Sequence, residues 1–208
     1  MAEFLKHTGV AAVIPEHNVD TDQIIPSREM KKVSKTGLGE GLFAGWRYRY
    51  DGNLKTGVNE DFVLNKPEYA GTSILLAGRN FGCGSSREHA VWALDDYGIR
   101  AIIAESFGRI FRSNCARNRL LAVCLSAEEI DAINKEVVAG PQENTVTVDL
   151  VNRVISSPGG TEFAFDIDEF DREMLMKGLD YVDFTLQFES SIDRFIADDR
   201  GHRPWAHL

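Results

Sequence analysis

Gly78-Arg79-Asn80-Phe81-Gly82-Cys83-Gly84-Ser85-Ser86-Arg87-Glu88-His89-Ala90 joins two stretches whose apolar residues recur with different periods. Ahead of it, Thr72-Ser73-Ile74-Leu75-Leu76-Ala77 is a short apolar run of the kind that forms a buried strand. Behind it, Val91, Trp92, Leu94 and Tyr97 continue a helical pattern that stops at Gly98. The segment therefore predicts strand, glycine loop and helix. Ser85 and Glu88 stand in the S-x-x-E relation of a capping box, which places the expected helix start at Ser85. Glycines just before a helix let several backbone N–H groups converge on one small volume, and the positive end of the helix dipole adds to their field. Such a place suits an anion. Arg87 adds a planar fork that matches a carboxylate or a phosphate.

The common anion-binding motifs do not fit this loop. The dinucleotide fingerprint fails because Gly82-Cys83-Gly84-Ser85-Ser86 is followed by Arg87 and not by glycine. A P-loop needs a Gly-Lys-Ser/Thr run, and the loop has no lysine. A G-x-S-x-G nucleophile elbow is also absent. Taken alone, the loop is equally compatible with an N-cap at Ser85, a surface charge at Arg87 and glycines that serve a tight turn.

At 208 residues the chain suits one domain over 1–208, and 43% hydrophobic with 26% charged residues is ordinary for a globular protein. A net charge of -9 argues against nucleic acid, since Lys31, Lys32 and Lys35 are too few to make a basic stripe. No apolar run is long enough to span a membrane, and Met1–His7 lacks a signal-peptide pattern, so cytoplasm is the expected location. Cys83, Cys115 and Cys124 are widely spaced with no C-x-x-C pair, so the sequence encodes neither a zinc ribbon nor a self-contained iron–sulfur site. No bound metal is expected. Cys83 lacks a positioned His–Asn pattern and is not read as a nucleophile.

In chain order, Thr8–Pro15 reads as a first strand ended by proline. Asn18–Pro26 carries Asp20 and Asp22. A calcium loop fails there because Ile24 occupies a ligand position, and Asp20 is expected to satisfy local backbone donors. Residues 27–57, punctuated by glycine and interleaved with Leu38, Leu42, Phe43 and Trp46, predict a mobile flap or a surface that a partner buries. Phe62–Leu64 reads as a short extended piece. Ala101–Ala104 and Leu120–Leu125 are continuous apolar runs, hence buried strands, with a helix over Phe107–Asn118 between them that carries Arg109 and Arg112.

This alternation predicts parallel crossovers of α/β type. Ser126 and Glu129 form a capping box ahead of a helix closed by Gly140-Pro141. Thr145–Leu150 and Val154-Ile155 alternate with period 2 about a turn at Asn152-Arg153, and Glu162–Ile167 alternates likewise. A helix from about Glu169 to Lys177 ends at Gly178. Phe184, Phe188, Ile192, Phe195 and Ile196 make an apolar helical stripe explained by packing, and 198–208 reads as a loosely held tail.

The strings Gly84–Ala90, Arg100–Ile110 with Asn114, Asn18–Pro26 and Gly178–Asp180, met in that relation, resemble the mobile swivel domain of the aconitase superfamily. The fuller resemblance, nearly end to end, is to the family of small subunits of bacterial isopropylmalate dehydratases. It implies one swivel-type α/β domain with β/β/α layers, a mixed sheet with parallel crossovers, a glycine-rich flap and C-terminal helices. It also implies a hydro-lyase of leucine biosynthesis that interconverts 2- and 3-isopropylmalate by loss and return of water.

The resemblance places a four-iron four-sulfur cluster on a separate large subunit, in a heterodimer or higher assembly, with a small dicarboxylate as substrate. Ser85 matches the serine base of the superfamily. Ser86 and Arg87 match carboxylate contacts, and Arg79 is expected to hold the loop or the carboxylate. Asp22, Gly82, Gly84 and His89 are supporting residues, His89 mainly structural. Leu38, Leu42 and Phe43 are expected to offer an apolar pocket to the isopropyl group, with Arg28 and Arg47 as the alternative of a further carboxylate contact. A related enzyme acting on methylmalate, homocitrate or dimethylmalate, or a non-catalytic dicarboxylate-binding module, would use the same loop.

Overall fold

Strand β1 (Lys6–Gly9) and strand β2 (Ala11–Ile14) belong to different sheets, although the sequence reads as one strand. The computed structural model describes residues 3–30, 34–52 and 54–207, so Lys31 and Lys32 lie outside the described residues. The chain changes sheets at Val10, whose carbonyl accepts from the N–H groups of Ser73 (3.0 Å) and Ile74 (3.2 Å). One carbonyl that serves two donors breaks the pairing register, so a run of uniform hydrophobicity hides a corner.

After β2 come helix α1 (Thr21–Ile24), helix α2 (Ala44–Arg47) and the hairpin β3 (Tyr48–Asp51) with β4 (Leu54–Val58). Phe62–Leu64 is not extended: Val63–Asn65 forms a 3-10 turn, drawn in by Asn65 Nδ2, which donates to the carbonyls of Arg47 (2.7 Å) and Asn59 (2.8 Å). Strand β5 (Ile74–Ala77), helix α3 (His89–Tyr97), strand β6 (Ala101–Ala104), helix α4 (Arg109–Arg117) and strand β7 (Leu121–Cys124) follow in the expected order. The four strands β2-β5-β6-β7 form one all-parallel sheet, with Ile14, Ala77, Ala104 and Cys124 in register at its carboxyl end.

Helix α5 (Ala127–Val137) is capped as predicted: Ser126 Oγ accepts from Glu129 N–H, and Glu129 Oε2 accepts from Ser126 N–H at 2.8 Å. Strands β8 (Val146–Asp149), β9 (Val154–Ser156) and β10 (Glu162–Ala164) join β1 in an antiparallel sheet of order β1-β8-β9-β10. Arg153 takes the left-handed conformation at the expected turn. Helix α6 (Glu169–Lys177) stops at Gly178, which is left-handed with φ 62°. Helices α7 (Tyr181–Leu186) and α8 (Glu189–His202) end the chain.

The period of two in the parallel strands builds two cores. Ala12, Ile14, Leu75, Ala77, Ile102 and Ala104 meet Ala90, Val91, Leu94 and Phe111 of α3 and α4. Ile74, Leu76, Ile103 and Val123 point the other way, onto α5 and onto Val146, Val148 and Ile155 of the antiparallel sheet. The order antiparallel sheet, parallel sheet, helices is the expected β/β/α layering.

Two regions depart from expectation. Leu38, Leu42 and Phe43 do not line a pocket: they are 0–1% exposed and belong to the core on the helix side of the parallel sheet. Phe43 stacks on Trp46 with ring centroids 5.4 Å apart. A flap that moved as a unit over 27–57 would have to withdraw these three side chains from that core. The predicted packing of the C-terminal stripe holds at Phe184, whose ring meets that of Phe170 at 4.7 Å, and fails beyond it, where Phe188 is 51% and Phe195 62% exposed. Asp198–His202 continues α8, and Asp199 receives Arg203 Nε (2.6 Å) and pairs with His207 Nε2 (2.7 Å), so the tail is folded back on itself.

Candidate active site

Three loops leave the carboxyl ends of neighbouring parallel strands: 15–26 after β2, 78–88 after β5 and 105–108 after β6. Open parallel sheets bind ligands in the crevice outside these strand ends. The middle loop is stapled on both sides. Phe81 N–H donates to Ser106 (2.9 Å) and Gly108 N–H to Phe81 (2.8 Å). On the other side Gly82 N–H donates to Val19 (2.7 Å), and Thr21 N–H to Cys83 (2.9 Å). Gly82 and Gly84 have φ of 72° and 91°, a region that favours glycine. At Gly82 a Cβ would also drive into the Phe111 ring.

Helix α3 begins at His89, not at Ser85, and the expected capping box does not form. Both of its members have better partners. Ser85 Oγ lies 2.9 Å from Thr21 Oγ1, and Glu88 Oε1 accepts from Asn118 Nδ2 at 2.6 Å. Ser85, Ser86 and Arg87 therefore lie in the loop ahead of the helix. Among the described residues, no group accepts a hydrogen bond from the N–H groups of Gly84, Ser85, Ser86 or Arg87. Gly84, Ser85 and Ser86 are exposed, so these successive unpartnered donors are open to a ligand. Open backbone donors in a loop can supply the positive field that the sequence had assigned to the helix end.

Two buried side chains pin this loop. Thr21, 1% exposed, reaches Ser85 from α1, while Asn114, 5% exposed, donates from α4 to the Ser86 carbonyl at 3.3 Å. An open depression of about 410 Å³ beside Ser85 is lined by Gly82, Cys83, Gly84, Gly108, Arg109, Ile110 and Phe111. Arg87 pairs with Asp22, which also accepts from Ser27 Oγ at 3.2 Å. Asp20 satisfies local donors as expected: its side chain accepts from Gln23 N–H at 2.7 Å and caps α1.

The remaining predicted residues separate. Arg79 is exposed and holds the loop through its backbone, its N–H donating to His17 Nδ1 at 3.0 Å and its carbonyl accepting from Asn18 at 2.8 Å. His89 lies on α3 with its ring 4.7 Å from that of Trp92. Next to Asp22, a second depression of about 460 Å³ has Pro26, Ser27, Arg28 and Trp46 in its walls, in place of Leu38, Leu42 and Phe43. Arg47 is spent on structure, donating to Asn65 Oδ1 (3.2 Å) and the Gly39 carbonyl (3.1 Å).

Thr21 and Arg109 escaped the reading of the sequence as site residues. Arg109 carried a usable signal, since it follows the apolar run of β6 by a four-residue loop and so had to emerge at the strand's carboxyl end. Thr21 had none beyond its place between Asp20 and Asp22.

Among the described residues there is no group of three or more His, Cys, Asp or Glu side chains that could hold a metal ion. Burial raises the pKa of the Cys115 thiol far above its ordinary value and that of Cys124 in the same direction, which leaves both as thiols. Cys83 Sγ rests 3.3 Å from the Asn18 carbonyl. No described helix is long and apolar enough to cross a membrane.

Residues 1–128 match the model of the aconitase C-terminal domain, and residues 131–169 match that of LeuD_N. A 3-isopropylmalate dehydratase small subunit of Cupriavidus necator is 53% identical over 208 residues, covering 100% of this chain and 99% of the relative. The subunit of that name from Rhizobium rhizogenes is 48% identical over 206 residues, covering 99% and 100%. Among solved structures, 3-isopropylmalate dehydratase from Methanocaldococcus jannaschii superposes with a TM-score of 0.65 at 28% identity, covering 91% of this chain and 99% of that one.

Proposed function

The chain belongs to the family of 3-isopropylmalate dehydratase small subunits, and from that membership we propose that its Ser85 loop supplies the proton-transferring side of the hydro-lyase site. The family makes this chain one half of a two-subunit enzyme of leucine biosynthesis. In the proposal the whole of 1–208 acts as one swivel-type domain, in the cytoplasm, that closes the site over the large subunit. The substrate is the dicarboxylate of the family name, isopropylmalate.

Dehydration next to a carboxylate asks for a base at carbon and an electrophile for the departing hydroxide. The residues of this chain do not fit an iron–sulfur cluster, as its cysteines are dispersed and Cys115 is buried. The electrophile is therefore assigned to a four-iron four-sulfur cluster carried by the large subunit, which would act as a Lewis acid. On the side of this chain, Ser85 in its alkoxide form takes the proton from carbon and returns it on rehydration. Arg87 and the N–H groups of 84–87 bind a substrate carboxylate, which must draw Arg87 away from Asp22. The guanidinium and the open donors also favour the anionic serine, whose hydroxyl is otherwise far too weak an acid.

The observation that carries this reading is that exposed Ser85 and the four unpartnered N–H groups of 84–87 lie in one loop at the carboxyl ends of parallel strands, two residues from Arg87. Its test is Ser85→Ala in the assembled enzyme with the cluster intact. We expect kcat to fall by orders of magnitude with the complex still formed and substrate still bound. If Ser85 serves only to hold Thr21, the substitution should cost about 0.5–1.5 kcal/mol of stability and leave kcat nearly intact. That outcome would sink the proposal.

A further inference from the structure

We propose that Thr21 is the positioning residue for Ser85: its buried hydroxyl fixes the Ser85 side chain and donates to the oxygen when it is anionic. The inference rests on the role given to Ser85 above and adds a residue to it. Thr21 Oγ1 stands 2.9 Å from Ser85 Oγ and 3.4 Å from the Ser85 carbonyl oxygen, so it has one proton and two acceptors on the same residue. With Ser85 neutral, Thr21 can donate to the carbonyl and accept from the serine hydroxyl. Once Ser85 is an alkoxide, the shorter contact becomes a hydrogen bond to a charged acceptor, and the Thr21 proton belongs there. Thr21 loses no proton in this scheme. It stabilises the charged form of its neighbour and so lowers the pKa of that hydroxyl.

Three features make Thr21 suited to this. It is 1% exposed, so water does not compete for its proton, and a hydrogen bond in such surroundings is stronger than one in solvent. It is the first residue of α1, where a β-branched side chain has few rotamers and its oxygen stays where the backbone puts it. Its own N–H is bonded to the Cys83 carbonyl at 2.9 Å, which ties the backbone of α1 to the serine loop independently of the side chain. Removal of the hydroxyl therefore leaves the loop attached and isolates the hydroxyl's effect on Ser85.

The experiment compares Thr21→Val, Thr21→Ser, Ser85→Ala and the Thr21→Val/Ser85→Ala double variant in the assembled two-subunit enzyme. Thr21→Val keeps the shape and loses the hydroxyl. We expect kcat to fall about 10- to 100-fold with KM changed less than about threefold, the pattern of an interaction made mainly in the transition state. The rising limb of the kcat–pH profile should move to higher pH, because a serine without its donor ionises later. Thr21→Ser should restore both the rate and the profile. On the Ser85→Ala background the valine substitution should cost no further rate, since the two residues act as a unit.

Thr21→Val with unchanged kcat and pH profile, while Ser85→Ala is inactive, would overturn the proposal and leave the Ser85 reading standing. A fully active Ser85→Ala enzyme would overturn both. Should Thr21→Val fail to assemble, Thr21→Ala is read in the same way.

Discussion

Leu38, Leu42 and Phe43 lie inside the helix-side core at 0–1% exposure, whereas Phe188 at the N-cap of α8 and Phe195 within it are 51% and 62% exposed. Both regions are apolar, and by pattern alone they looked destined for the opposite places. The first is broken by glycines and has no regular period, which is how an exposed loop reads. The second has a clean helical stripe, which is how a packed helix reads. What separates them is the surface each one finds. The irregular loop crosses the helix face of a sheet that still needs cover: Arg47 ties it down at Gly39, and Gly39 N–H donates to Asp96 Oδ2 at 2.7 Å. The stripe starts on the body, where Phe184 meets Phe170 of α6 with ring centroids 4.7 Å apart, but α8 beyond it packs mainly on the turn Pro204–Ala206 that follows it. Periodicity states which face seeks burial, and burial needs a second surface in reach.

The largest expected effect that would sharpen this contrast is Leu38→Arg. A guanidinium at a site 1% exposed has no partner, and we expect the chain to lose at least about 4 kcal/mol of stability, enough to prevent purification as a folded protein. A soluble, well-folded variant with altered substrate selectivity would instead restore the idea of a pocket there. Next comes Leu42→Ala, which removes a fully buried side chain and should cost about 2–5 kcal/mol, read from urea midpoints at unchanged slope. The smallest effect belongs to Phe195→Ser on the isolated chain, expected within about 0.5 kcal/mol of the parent despite the size of the group removed. A loss above about 2 kcal/mol would mean that α8 packs on the body in solution, and the comparison would collapse.

The same contrast runs through the site. Gly78–Ala90 was legible as a place of interest because glycine, serine and arginine in this order are chemically suggestive, and Asn18–Pro26 because it carries Asp20 and Asp22. Which contacts they make was not. The Ser85–Glu88 spacing obeys a local capping rule, yet Ser85 bonds to a residue 64 positions away and Glu88 to one 30 positions away. Ser126 and Glu129 obey the same rule and do form the box, since no distant partner among the described residues competes for them.

By itself, then, the sequence determined whatever depends on neighbours within a few residues. That includes the buried parallel strands, the hairpin at Asn152-Arg153, the capped start of α5, the stop at Gly178 and the strand–loop–helix order that exposes Ser85 at a strand end. Tertiary structure alone decided the corner at Val10, the burial of Leu38, Leu42 and Phe43, the delayed start of α3 and the contact of Thr21 with Ser85. Each of these is a competition among partners brought together only when the chain folds. A hydrogen bond between residues 21 and 85 leaves no periodic trace in either segment, so only the folded geometry can reveal it.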